Sequence, residues 1–104
     1  MIAIVWAFQV KADRIAEFER IYAPTGQWAK LFKKGKGFLK TGLIQSPDHA
    51  QRFVTIDQWK TIQDYKTFLA LWKEEYETLD RQFEGLTESE SRLGIFGDGF
   101  NDEE

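Results

Sequence analysis

Residues 2–10 are apolar at almost every position, and side chains alternate between faces along a strand. Ile2, Ile4, Trp6, Phe8 and Val10 share one face, and Ala3, Val5 and Ala7 share the other. Two apolar faces call for cover on both sides. The small alanines predict close approach of a helix to their face, which leaves the large side chains to a second layer. The period then changes. Ile15, Phe18 and Tyr22 recur at helical spacing, with Asp13 as the expected N-cap. Pro24 and Gly26 interrupt that helix, and residues 27–34 predict a short second piece that buries Trp28, Leu31 and Phe32. Gly35-Lys36-Gly37 breaks the chain again.

Residues 38–46 and 52–59 read as strands joined by the turn Pro47-Asp48-His49-Ala50, so they predict a hairpin. On the second of these strands, Phe53, Thr55, Asp57 and Trp59 share one face. Thr61 with Asp64 resembles a capping box. Beyond it, Ile62, Tyr65, Leu69, Trp72, Tyr76, Leu79 and Phe83 alternate spacings of three and four, and Gly85 is the expected stop. A helix over 62–84 is long for a small sheet, so a bend near residues 70–72 is expected. The seam also fits a coiled coil, but the strands need this helix as cover. Residues 90–96 read as a fourth strand, with Leu93 and Ile95 opposite Arg92, Gly94 and Phe96.

The order β-α-β-β-α-β is the ferredoxin-like arrangement, an α+β fold with a four-stranded antiparallel sheet and helices on one face. A single domain is expected over residues 1–96, followed by a mobile acidic tail over 97–104. The face bearing Trp6, Phe8, Phe53 and Trp59 would then be an open apolar patch of the kind that marks an interface. A homodimer built by stacking two such sheets follows as an expectation.

Composition narrows the chemistry. The chain of 104 residues holds no cysteine and one histidine, His49. Disulfides and thiolate chemistry are excluded, and a closed zinc site lacks ligands. His49 belongs to a turn, where solvent exposure is expected. The net charge of −3 comes largely from Asp98, Asp102, Glu103 and Glu104, so the body is nearly neutral. Nucleic-acid binders carry a basic excess. Lys30, Lys33, Lys34, Lys36 and Lys40 cluster, but they read as a solvated loop. No run approaches membrane-spanning length, and the N-terminus lacks the features of a signal peptide, so a cytoplasmic protein is expected. No Gly-rich phosphate loop, flavin site or nicotinamide site is present.

With this element order, the Trp6-bearing first strand and the stretch Thr55-Ile56-Asp57-Gln58-Trp59 leading into residues 61–68, the chain resembles the antibiotic biosynthesis monooxygenase superfamily. The resemblance covers residues 1 to about 96 and implies a dimeric α+β barrel. Its quinone-forming branch works without a cofactor. That branch carries a Trp at the end of the third strand and a Tyr six residues on, which Trp59 and Tyr65 match. Its Asn four residues before the Trp is Thr55 here. Its helix Arg aligns with Leu79, with Arg81 nearby. The haem-degrading branch needs side chains that Ala7, Phe68 and Thr78 do not supply.

The resemblance therefore implies Trp59, Tyr65 and Arg81 as catalytic residues, with Thr55, Phe68 and Trp72 against a phenolic or polycyclic aromatic substrate. Each residue also has a plainer reading. Trp59 and Tyr65 pack well where strand meets helix, whatever the function. Asp57 is either a general base or a structural charge paired with Arg92 or exposed at a strand end. The competing function is a non-catalytic dimer that binds a ligand or partner through the same pocket. A purely structural dimer with no cavity is the third reading.

Overall fold

The computed structural model describes residues 1–98. Its elements are β1 (Ile2–Val10), α1 (Ile15–Tyr22), α2 (Gln27–Phe32), β2 (Phe38–Gln45), β3 (Arg52–Trp59), α3 (Ile62–Leu71), α4 (Lys73–Phe83), a 3₁₀ turn (Glu84–Leu86) and β4 (Thr87–Gly97). The four strands form one antiparallel sheet in the order β2-β3-β1-β4. This is the α+β, ferredoxin-like arrangement, with all helices on one face of the sheet.

The helices lie on the face opposite to the one expected. They cover Ile2, Ile4, Phe8 and Val10, together with Phe53 and Trp59 of β3. Buried area explains the choice. Large side chains remove more apolar surface from water, at about 25 cal/mol per Å². Phe18 of α1 is fully buried and touches Phe8, Tyr22 and Phe53. The other face keeps Ala3, Val5 and Ala7 beside Val54 and Ile56, with Ile44 and Phe96 more than half exposed.

The long amphipathic segment breaks at Trp72, within the expected bend, and becomes α3 and α4. Thr61 caps α3 by accepting from the Asp64 N–H at 3.0 Å. Two caps differ from expectation. Arg14, not Asp13, occupies the N-cap of α1, and its side chain makes no capping bond to the backbone. Gly85 lies within the 3₁₀ turn and does not stop α4 in a left-handed conformation.

β4 begins earlier than expected, at Thr87, and carries a register shift opposite Val5 and Trp6. Ile95 pairs with Ile4 and Arg92 with Trp6, so the bulge between them puts both on the helix-covered face. Strict alternation had separated them. At the other end, Gly97 pairs with Ile2, and Asp98 accepts from the Met1 amino group at 3.2 Å. Both residues had been assigned to the tail. Its remainder, residues 99–104, lies outside the described part.

Candidate functional site

A cavity lies between the centre of the sheet and the helices. Its aromatic wall comes from Trp6 and Phe8 of β1, Tyr22 of α1, Trp28 and Phe32 of α2, and Tyr76 of α4. These rings form a near-continuous chain. Phe8 to Tyr22 is 5.2 Å between centroids, Tyr22 to Trp28 is 6.1 Å, and Trp28 to Tyr76 is 5.0 Å in an edge contact. About 50 Å³ is open to the centres of water molecules. That is room for a few waters, at roughly 10–15 Å³ each. A ligand with a ring system must part these walls.

The polar floor comes from the sheet. Thr55 and Asp57 point inward from β3, on the same side as Phe53 and Trp59, because side chains two positions apart share a face. Thr41 of β2 stands opposite Asp57 in the ladder and lines the cavity with it. The Thr41 hydroxyl donates to Asp57 Oδ1. Asp57 is 8% exposed. Burial pushes its carboxyl up to about 6, and the Thr41 hydrogen bond works in the opposite direction. A carboxylic acid with that value exchanges protons near neutral pH, as a general base must.

Two further acids, Asp80 of α4 and Glu90 of β4, line the exposed end of the cavity. Burial raises the Glu90 carboxyl, and the neighbouring Asp80 and Glu84 add to this. Burial likewise drives the phenols of Tyr22 and Tyr76 well above their usual range, with the nearby carboxylates reinforcing the effect. Among the described residues, no Lys, Arg or His lines this cavity. The indole N–H of Trp28 is buried. It favours the ionised form of the Tyr22 phenol beside it, but it makes no hydrogen bond of normal geometry.

Of the site residues that the resemblance implied, only Thr55 lines the cavity. Trp59 is wholly buried among Phe32, Phe38, Tyr65 and Phe68, which places it in the core beside the cavity. Its indole N–H has no partner among the described residues either. Tyr65 and Phe68 pack with it, and Trp72 sits at the helix break under Lys34, whose ammonium lies 5.2 Å from the ring centroid. Arg81 is exposed on α4. Asp57 and Arg92 form no ion pair among the described residues.

Sequence reasoning missed Tyr22, Trp28, Tyr76, Thr41 and Glu90 as cavity residues. A signal existed for the first three, since aromatics with polar tips on three helices must aim at one sheet. The lysine cluster is partly balanced by acids. Lys30 and Lys34 line an outer groove between α2 and α4 with Glu74 and Glu75. His49 is exposed in its turn. No helix among the described residues is long and apolar enough to cross a membrane, and none of their side chains cluster as a metal site.

Residues 1–77 match the antibiotic biosynthesis monooxygenase family. The chain belongs to that family. SnoaB of Streptomyces nogalater, a cofactor-independent oxygenase, superposes with a TM-score of 0.75 at 23% identity, over 94% of this chain and 92% of that one. A Deinococcus radiodurans protein assigned to the same family gives 0.72 at 15% identity, over 95% and 93%. A conserved protein of Methanosarcina mazei Go1 gives 0.70 at 14% identity, over 94% and 92%. At these identities the likeness establishes the fold. No functionally curated protein matches the chain.

Proposed function

We propose that this family member is a cofactor-independent monooxygenase acting on a phenolic aromatic compound, with Asp57 as the general base. The observation that carries the reading is a buried carboxylate at the floor of an aromatic cavity. Asp57 takes the phenol proton on Oδ2, the oxygen that Thr41 leaves free. The resulting phenolate is electron-rich enough to reduce dioxygen. Oxidation of a phenol to a quinone releases four electrons, and dioxygen takes up four in forming one ring carbonyl and one water. The stoichiometry closes without an external reductant. The Trp28 N–H would donate to a substrate oxygen as a preorganised donor. Thr55 offers a hydroxyl on the same cavity floor. Trp59, Tyr65 and Phe68 pack beside the floor and hold it from the side, and Arg81 has no part in the site.

The test is oxygen uptake with a panel of one-ring to three-ring phenols. Wild-type protein consumes oxygen with at least one of them, and Asp57→Asn at equal folded concentration does not. Uptake that survives Asp57→Asn removes the base from the proposal. Binding without uptake supports the competing reading, a non-catalytic ligand-binding domain. Under either reading a polycyclic ligand must first part the aromatic walls of the cavity. The purely structural reading expects no cavity between sheet and helices, and the cavity lined by Thr55 and Asp57 speaks against it.

The same proposal includes a homodimer. The open sheet face of Val5, Ala7, Val54, Ile56 and Ile44 is apolar, and no helix among the described residues covers it. A second copy applied to it would close two sheets into a barrel.

A further inference from the structure

We propose that the ligand of this cavity carries a protonated amine beside its aromatic ring, held by the Asp80 and Glu90 carboxylates and the faces of the surrounding aromatic side chains. The inference rests on reading this cavity as the substrate site and names the class of substrate it takes. Three carboxylates line the cavity, and among the described residues no cationic side chain opposes them. Arg92 shares this face of the sheet, but it acts on Tyr65 and is not part of the cavity lining. Asp57 is more than nine-tenths buried, and the only hydrogen bond to its carboxylate among the described residues comes from Thr41. Such a site attracts a cation from two directions. Carboxylates at the exposed end supply charge, and the lining rings of Trp6, Tyr22, Trp28 and Tyr76 attract a cation wherever a ring face is open to it.

The chemistry of the preceding proposal gains from this cation. Proton transfer from a neutral phenol to Asp57 would leave a phenolate beside Asp80 and Glu90, with no positive partner in the cavity lining. A like charge disfavours the anion. An ammonium on the substrate supplies the missing positive charge, and the buried Trp28 N–H is left for the phenol oxygen. The cavity therefore suits a phenol with a short aminoalkyl arm and disfavours one with a carboxylate arm.

Three probes with the same ring and arms of similar length separate the cases: tyramine, 4-ethylphenol and 4-hydroxyphenylpropionate. Their affinities are measured by isothermal titration near neutral pH at low salt, with wild-type protein and with the Asp80→Asn/Glu90→Gln double variant. Both substitutions lie at exposed positions, so the fold is not at risk. Tyramine is expected to bind about tenfold more tightly than 4-ethylphenol, from charge and ring-face attraction together. The carboxylate probe is weakest. The double variant loses most of the tyramine advantage and keeps its affinity for 4-ethylphenol. Equal binding of tyramine and 4-ethylphenol, tightest binding of the carboxylate, no binding of any probe, or an advantage that survives the double variant each overturns the inference. Oxygen uptake reads the other proposal separately. Amine preference without uptake leaves a binding site and no oxygenase, and uptake without amine preference leaves an oxygenase of a different substrate class.

Discussion

Thr41 and Asp57 face each other across the β2–β3 ladder, and the Thr41 hydroxyl donates to the Asp57 carboxylate inside the cavity. This bond stabilises the charged form and so partly opposes the effect of burial. Tyr22 of α1, Tyr76 and Asp80 of α4 and Glu90 of β4 line the same cavity, and none of them offers a positive charge. Thr41→Val is therefore expected to move the acid limb of the kcat/KM profile to higher pH, because the base loses its donor. The plateau activity changes less than the position of the limb. An unmoved limb would show that another group sets it.

Asp57 also costs stability. Its folded-state value of about 6 lies above the ordinary 3.8. Between these values the folded state holds more protons than the unfolded one, so stability falls as pH rises through that window. The contribution is fully present below the unfolded value and lost above the folded one. The loss amounts to about 3 kcal/mol by pH 7, at roughly 1.36 kcal/mol per unit. Asp57→Asn can still accept from Thr41 and carries no charge. It should be more stable than wild type by about that order at pH 7, with the difference vanishing below about pH 4. Urea melts across this range measure it, and a difference independent of pH would separate Asp57 from the effect.

Trp59 supports the site and does not line it. Trp59→Phe removes buried ring volume, which costs stability, and also removes an indole N–H that has no partner among the described residues, which returns some. The net expectation is a loss of about 1–2 kcal/mol in urea melts, with the affinity for a phenolic probe unchanged. A tenfold loss of affinity at unchanged stability would restore Trp59 as a ligand contact.

Gly35 is a tight point of the same cluster. A Cβ there would sit 2.8 Å from Phe68 and 2.9 Å from Trp59. Both rings are held in a packed core and cannot swing away, so Gly35→Ala must move the α2–β2 connection. A cost of about 1–3 kcal/mol is expected, typical of overpacking. Gly37 is constrained differently, by φ of +88° and by the Asp64 side chain, which occupies the space a Cβ would need. Gly35→Ala that melts like wild type would mean the connection is free to shift.

The fold was legible because each period is clear. Residues 62–83 hold their helical spacing across the break, and the 38–59 hairpin is marked by its turn. The site was less legible because it depends on which face the helices cover. Both faces of β1 are apolar, and the small alanines pointed to a close helix on their side, whereas buried area decides for the other. That one inversion moved Phe8, Phe53, Thr55 and Asp57 from an outer surface to the cavity side. The bulge that brings Arg92 and Ile95 to the same side left no mark that strict alternation could register. Trp28 and Tyr76 meet across α2 and α4, which lie far apart in the chain, and no spacing rule joins them.

The inversion also specifies the dimer surface more sharply. The residues to disrupt are those of the shallow face, not Phe8 or Phe53, whose replacement would empty the core. Ile44 is 56% exposed and pairs with Val54 across β2 and β3. Each points away from the helices. Ile44→Glu places a charge on that face at little cost to the monomer, since the side chain is already in water. In a dimer closed on this face the same charge is buried without a partner, which is strongly unfavourable. Wild-type protein should therefore elute at about twice the 12.2 kDa chain mass, and Ile44→Glu at the chain mass with its circular dichroism unchanged. A wild-type monomer at micromolar concentration would remove the dimer from the proposal. A variant that stays dimeric would move the contact off this face and leave Ile44, Val54 and Phe96 exposed to water in the assembled protein.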